Sequence, residues 1–172
     1  MRRLLLPLAL LAPAGATADP LTIAKTVTVV SDPLGNAFPR SLPGSVVDYR
    51  TRATNPIGNA LKTVTGIKLE EPLPADTILY VRDLAGAGKG PVEFADGSLL
   101  GTGLLSSGLT YAYVSLSSTT DGLEFSDGTN WSYVPVPDAD GYDARVRAVR
   151  VTLGSSFAST TSFQLRFRVK IR

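Results

Sequence analysis

One short segment of the chain brings three carboxylates close together. Asp138, Asp140 and Asp143 occupy positions i, i+2 and i+5 around Gly141. Carboxylate oxygens are the hard ligands that Ca²⁺ prefers, so this loop predicts a calcium ion that clips a turn together without taking part in catalysis. No glutamate follows at the spacing of an EF-hand. The alternative interpretation is an ordinary turn, because Asp and Gly are the residues that tight turns favour.

Two other groups of carboxylates could carry chemistry. Asp121, Glu124 and Asp127 form a second acidic loop that could lie near the first. Glu70 and Glu71 are adjacent, and carboxylate pairs cleave glycosidic bonds in many enzymes. Neighbouring residues of a strand point to opposite faces, so this pair cannot flank one bond.

The chain contains no histidine and no cysteine. These absences exclude Ser-His-Asp and Cys-His catalysis, thiol nucleophiles, histidine metal sites and a disulfide framework. Serine and threonine are plentiful, but none has a positioned base that the sequence reveals. We therefore expect that the protein is not an enzyme and that it needs no cofactor beyond the structural calcium considered above.

The N-terminal segment has the organisation of a secretory signal peptide. Arg2 and Arg3 precede a short apolar run at residues 4–12, and Ala16-Thr17-Ala18 is a small-residue cleavage site. This pattern predicts a signal peptide at residues 1–18, removed after Ala18. The apolar run is too short to span a bilayer as a helix. We expect a secreted protein that reaches the extracellular space or the cell surface through the periplasm.

Removal of the signal peptide changes the charge balance. The 17 basic residues include Arg2 and Arg3, so 17 − 2 = 15 remain against 15 acidic ones. A formal net charge of zero gives no reason to expect nucleic acid as a partner. The remaining 154 residues (172 − 18) are enough for one domain with a core. No further long apolar segment predicts a transmembrane span.

The clearest strand pattern lies at residues 162–171, where apolar and polar side chains alternate. Period-two alternation predicts a strand with one face in the core and a basic face in water. Residues 45–54 alternate in the same way. With two further predicted strands, these faces give the expected core: Ile23, Val27, Val47, Tyr49, Ile67, Leu69, Phe163, Leu165, Phe167 and Val169.

Shorter runs predict the remaining strands. Lys25 interrupts the apolar face of residues 21–30, which is typical of an edge strand. The apolar phase of residues 145–153 shifts between Ala148 and Val149, which predicts a β-bulge. Many short strands separated by turns predict an all-β, Ig-like antiparallel β-sandwich. The other predicted strands are residues 62–70, 77–82, 110–116, 123–125 and 131–136, with a short β-like run at 92–94.

Two surface features suggest ligands. The stripe of Arg166, Arg168, Lys170 and Arg172 could bind acidic polysaccharide or lipid headgroups, although a solvated sheet face is the favoured interpretation. Aromatic side chains alternate along two predicted strands and could form a platform on which sugars stack. Such residues are more often core or corner packing. The aromatic residues concerned are Tyr111, Tyr113, Trp131 and Tyr133.

A series of motifs spans residues 43–79. Pro43-Gly44 begins a turn before a strand that carries Tyr49, Asn55 lies in the next turn, and Glu71 precedes a Pro-Leu-Pro corner. In this order the motifs resemble the DUF11 family of bacterial and archaeal surface modules, which usually has Asp at the position of Glu71. The last two predicted strands also resemble the end of such modules, whereas residues 86–127 form a longer insertion. The resemblance implies an Ig-like fold without catalytic residues, in exported or wall-associated proteins.

The family's modules are usually repeated, whereas this chain carries one copy. A single module without an active site must act through neighbours. We expect residues 19–43 to form a β arm and linker, and residues 44–172 to form the sandwich. The arm could complete a neighbour's sheet, which predicts a self-assembling subunit of an extracellular fibre, pilus-like filament or surface layer. Pairing of the arm within its own chain is an equal alternative, and a monomeric adhesion domain for cell-surface glycans is the second function considered.

Overall fold

The computed structural model describes residues 17–97 and 105–172, so most of the expected signal peptide lies outside the described residues. Apart from one short 3₁₀ helix, Ile57–Asn59, the regular structure of the described chain is entirely β. Its strands are β1 (Thr22–Ser31), β2 (Val46–Thr54), β3 (Lys68–Pro72), β4 (Thr77–Tyr80), β5 (Val92–Asp96), β6 (Leu123–Ser126), β7 (Tyr142–Asp143), β8 (Ala148–Thr152) and β9 (Ser162–Ile171).

The strands form two antiparallel sheets, which confirms the predicted all-β sandwich. The larger sheet has the order β1-β2-β9-β4-β7, and β5 pairs with the remaining part of β9. One side of β9 pairs with the whole length of β2, from Thr54↔Ser162 to Val46↔Lys170. The smaller sheet has the order β3-β8-β6. The strand β9 is therefore the centre of the larger sheet.

The core joins the apolar faces of the two sheets. The alternation in β9 is confirmed: Phe163, Leu165, Phe167 and Val169 are all buried. Val149 and Val151 of β8 and two residues of β6 complete the cluster from the smaller sheet. Of the other expected core residues, Val47 and Ile67 are buried, and Tyr49 and Leu69 pack against the cluster half-buried.

The prediction for β1 is right in position and wrong in burial. The strand lies at the edge of the larger sheet, as Lys25 indicated, and pairs with β2. Ile23 and Val27, however, are 48% and 55% exposed and do not belong to the core. The physical reason is the width of the sheets, because the three-stranded sheet is too narrow to cover the edge of a six-stranded one.

Several predicted strand boundaries are corrected. The strand expected at residues 62–70 is β3, which begins at Lys68 and runs through Pro72. Residues 111–116 and 131–136 form no strand, and Thr110 makes only an isolated bridge to Gly154. The predicted bulge in β8 is wrong, because its register is continuous on both sides. A register shift lies instead in β1, between Val29 and Ser31.

Candidate functional site: the edge strand and a surface cleft

The loop before β7 is shaped by Asp138. Its Oδ1 accepts hydrogen bonds from the backbone N–H groups of Asp140, at 3.0 Å, and Tyr142, at 2.8 Å. Asp140 is exposed and lies 3.2 Å from Nζ of Lys170. Two of the three carboxylates proposed for calcium are thus engaged by different protein partners.

The third carboxylate, Asp143, is buried and serves a neighbouring segment. It accepts hydrogen bonds from the Tyr133 hydroxyl at 2.6 Å and from the backbone N–H of Val136 at 2.7 Å and Arg145 at 2.8 Å. Burial alone would raise the pKa of Asp143, but these hydrogen bonds outweigh it and hold the pKa below its ordinary value. The described residues contain no cluster of three acidic side chains placed to hold a metal ion. Calcium stays a prediction.

The second acidic loop is also divided among separate partners. Asp121 accepts the backbone N–H of Val114 at 2.9 Å, and Asp127 accepts that of Thr129, also at 2.9 Å. Glu124 lies 3.4 Å from the guanidinium of Arg150. These side chains hold turns and a cross-strand contact, in line with the preference of Asp for turns.

The predicted wet, basic face of β9 is a half-buried ion-pair layer. Asp48 of β2 is 2% exposed, and its carboxylate lies 2.7 Å from both Arg166 and Arg168. Arg166 also pairs with Glu93 of β5. Burial raises the pKa of Asp48, but the hydrogen bonds from Arg168 and Arg166 prevail and hold it below the usual value. Because both arginines are already paired with carboxylates, they are less available to an acidic polysaccharide than the sequence suggested.

The aromatic side chains do not form one platform. Tyr111 and Tyr113 line one depression, and Trp131 and Tyr133 line another. The guanidinium of Arg150 lies 3.8 Å from the centre of the Trp131 ring, a cation–π contact. Only the first pair therefore belongs to the larger cleft.

That cleft has a volume of about 470 Å³ and lies beside β5. Phe94, Tyr111 and Tyr113 give it aromatic walls, and Lys89 and Glu93 supply charge. Mixed apolar and polar lining of this kind is typical of small-molecule sites. Within the described residues, the Tyr111 hydroxyl is buried and has no hydrogen-bond partner, and burial raises its pKa.

The wall of the cleft is built by Asp83, which accepts the backbone N–H groups of Gly88 at 2.8 Å and Gly90 at 2.7 Å. Gly90 has a positive φ of 74°, and a Cβ there would lie 2.7 Å from the Tyr113 ring. Glycine thus allows both the turn and the close approach of the ring.

The second candidate interface is β1. Nine of its ten residues are exposed, and only Val29 is half-buried. The backbone ladder to β2, from Thr22↔Thr54 to Ser31↔Val46, is its principal attachment. Lys25 adds one ion pair, at 2.7 Å, to the buried Glu71 of β3. The strand is therefore held by main-chain hydrogen bonds far more than by buried side chains.

Sequence reasoning missed three groups of residues in these regions. Phe94 belongs to a predicted β-like run, but its pairing with β9 in the cleft wall is a long-range property. Asp48 was expected in water, although an acidic residue among arginines signals an ion pair. Asn55 and Asn59 look like turn residues, yet both are buried with hydrogen-bonded side chains.

No protein-family model, curated protein or solved structure matches the chain. In residues 17–97 and 105–172, no helix is both long and apolar enough to cross a membrane.

Proposed function

We propose that the protein is an exported structural subunit that self-assembles into an extracellular fibre, pilus-like filament or surface layer. Copies are joined when β1 of one chain completes the larger sheet of the next. The observation that carries this proposal is the attachment of β1, which is exposed at nine of ten positions and bound mainly by its ladder to β2.

Main-chain hydrogen bonds are the same whichever copy supplies the strand, so exchange costs little in contact energy. The linker between β1 and β2 covers residues 32–45, and its 14 residues (45 − 32 + 1) separate the two strands. Fully extended, a linker of that length reaches roughly 45–50 Å. If the turn that the Asp32 carboxylate holds opens, a reach of that order allows the arm to leave its own sheet and pair with a neighbour. Head-to-tail contacts of this kind do not close on themselves and so produce filaments.

The resemblance to DUF11 surface modules and the expected signal peptide agree with this assignment. Both indicate a protein outside the cytoplasm whose role is structural. The motif residue Glu71 of that resemblance contacts Lys25 of the arm, which links the motif to the proposed assembly strand.

Electron microscopy and size-exclusion chromatography of the chain that begins at Asp19 test the proposal. We expect filaments or high-mass species that form without added ligand and grow with protein concentration. A chain that remains monomeric at every concentration and ionic strength would contradict it.

A second candidate function, a glycan-binding adhesion domain, is favoured by the cleft beside β5. Aromatic faces at Tyr111 and Tyr113 suit stacking against sugar rings, and Lys89 and Glu93 suit hydroxyl groups. Retention of the monomer on cell-wall or capsular polysaccharide, lost in Tyr113→Ala and kept in Trp131→Ala, would support this function. An equal loss of retention in the two variants, or no retention of the wild-type protein, would reject this function.

A further inference from the structure

The turn that follows β2 carries a pair of buried asparagines, Asn55 and Asn59, which are 0% and 1% exposed. Asn55 is fixed in place, because its Nδ2 donates to the Phe157 carbonyl at 2.7 Å. Its Oδ1 accepts a hydrogen bond, also of 2.7 Å, from Nδ2 of Asn59. The Asn59 side chain is therefore held in one orientation by a buried partner.

Asn59 also binds the backbone of one distant residue, Asp19, through its Oδ1 atom and a second hydrogen bond from Nδ2. Its Oδ1 accepts the Asp19 N–H at 2.7 Å, and its Nδ2 donates to the Asp19 carbonyl at 3.0 Å. A carboxamide that pairs with both backbone groups of a residue acts as a strand neighbour would. Asp19 is the first residue after the expected cleavage site, and β1 begins three positions later. The ammonium that cleavage creates on Asp19 can donate to the same oxygen, as a charge-assisted hydrogen bond.

The Asp19 side chain is recognised as well. Its Oδ1 lies 2.9 Å from Nζ of Lys62. A Cβ at position 58 would lie only 1.8 Å from its Oδ2, so a larger residue there would force the Asp19 carboxylate to turn away from its place beside Lys62. Gly58 does not have a positive φ, so the glycine is explained by space and not by backbone conformation.

The contacts of Asp19 explain how the register of β1 is fixed. Strand register is strongly specified only where one face is buried, and β1 is exposed on both faces. A one-residue slip would cost little in side-chain packing. A clamp on Asp19 at one end, together with Lys25 on Glu71, fixes the register that pairs Thr22 with Thr54.

We propose that Asn59, Gly58 and Lys62, backed by Asn55, form a receptor for the N-terminal Asp19 of a second copy of this chain. This inference rests on the proposed function, since the receptor registers the arm that an adjacent subunit supplies. The receptor lies at the end of β2 where an incoming strand begins its ladder, so one site selects both the strand and its alignment.

Gly58→Ala tests the receptor in the chain that begins at Asp19. The added methyl turns the Asp19 carboxylate away from Lys62, so we expect hydrogen exchange of the β1 amides to accelerate by about two- to fivefold, as the loss of a partly exposed ion pair would produce, and filaments to become shorter. Asp19→Ala on that background removes the colliding atoms and should restore protection and assembly in part. Leu61→Ala, in the same turn and fully exposed, should change neither.

Mixing of wild-type and Gly58→Ala protein distinguishes the copy that donates the arm from the copy that accepts it. A Gly58→Ala copy keeps a normal arm but accepts one less well, so a minor fraction of it should shorten wild-type filaments. Unchanged β1 protection in Gly58→Ala would overturn the receptor itself, whether or not the protein assembles. If the wild-type chain never assembles while Gly58→Ala still exposes β1, the proposed function fails and the receptor serves its own chain, which overturns recognition of a second copy.

Discussion

Nζ of Lys25 lies 2.7 Å from Oε2 of Glu71, and this contact joins the edge strand of one sheet to the edge strand of the other. Glu71 is 6% exposed and also accepts the Thr51 hydroxyl at 2.7 Å. The lysine that interrupts the apolar face of β1 is thus the partner of a buried carboxylate. Departure of β1 would leave that carboxylate without this cation, so an arriving arm with the same lysine is favoured.

Loss of this ion pair should weaken the attachment of β1. Lys25→Met leaves Glu71 buried without its cation, and we expect about 1 kcal/mol less stability, a value kept small because Lys25 is half exposed. Denaturant unfolding measures the change. The double variant Lys25→Met, Glu71→Gln should recover part of the loss, and Lys68→Ala on the exposed side of β3 should cost little. Equal losses in Lys25→Met and Lys68→Ala would contradict the assignment.

Three aspartates whose carboxylates accept hydrogen bonds in the folded state should make the protein sensitive to acid. Hydrogen bonds lower the pKa of Asp48 and Asp143, and those from Asn36 and Arg40 lower the pKa of Asp32 to about 2. A group with a lower pKa in the folded state contributes its full stability above its unfolded pKa, near 4. That contribution is lost as the pH falls through the folded value, so stability should decline between about pH 4 and pH 2.

Asp48→Asn isolates the part of this effect that comes from the ion pairs of β9. Removal of a buried charge partner of Arg166 and Arg168 should cost about 3 kcal/mol at pH 7 and flatten the acid dependence. Urea unfolding at pH 7, 4, 3 and 2 measures both. Asp76→Asn, whose side chain is exposed, should leave the profile unchanged, and a wild-type profile in Asp48→Asn would refute the account.

Calcium at Asp138, Asp140 and Asp143 has a direct thermal test. Binding of the ion predicts a melting temperature that rises in millimolar Ca²⁺, falls with chelator and no longer responds in Asp140→Asn. Asp140 is the informative position, because it is exposed and its ion pair with Lys170 is long, at 3.2 Å. A melting temperature that does not change with Ca²⁺ would mean that these aspartates only stabilise a turn.

Deletion of residues 21–30 distinguishes a donor arm from an ordinary first strand. Because β1 buries so little, we expect a folded monomer whose circular dichroism and unfolding remain cooperative, but which no longer assembles. A chain that loses its fold on deletion, with an intact protein that never assembles, would mean that β1 is a structural strand of its own sandwich.

The strand β9 could be predicted from its residues. It pairs with strands on both sides, and its apolar face packs against the opposite sheet, so its alternating pattern matches its burial throughout. The burial of β1 could not be predicted, because Ile23 and Val27 have the right spacing but lie beyond the reach of the smaller sheet. Tyr111 and Tyr113 are half-buried, in line with the alternation, yet residues 111–116 form no strand, and Asp121 accepts the backbone N–H of Val114. Alternation reports which way side chains face, whereas pairing depends on partners distant in sequence.

The same limit applies to the candidate sites. Asp138, Asp140 and Asp143 suggest a metal by spacing, but their partners Lys170 and Tyr133 are supplied by the fold. The receptor for Asp19 depends on a contact across 40 residues, between Asp19 and Asn59. Neither could be read from local sequence alone.

An engineered disulfide between β1 and β2 tests self-assembly by strand exchange most directly. Thr26 and Arg50 are cross-strand partners, whose expected Cα separation of about 4.5–5.5 Å suits a disulfide. The chain has no cysteine of its own, so Thr26→Cys with Arg50→Cys gives one defined bond. Assembled and oxidised protein should run as a ladder of covalent multimers on a denaturing gel without reductant. Internally bonded monomers alone, at every protein concentration, would contradict the account.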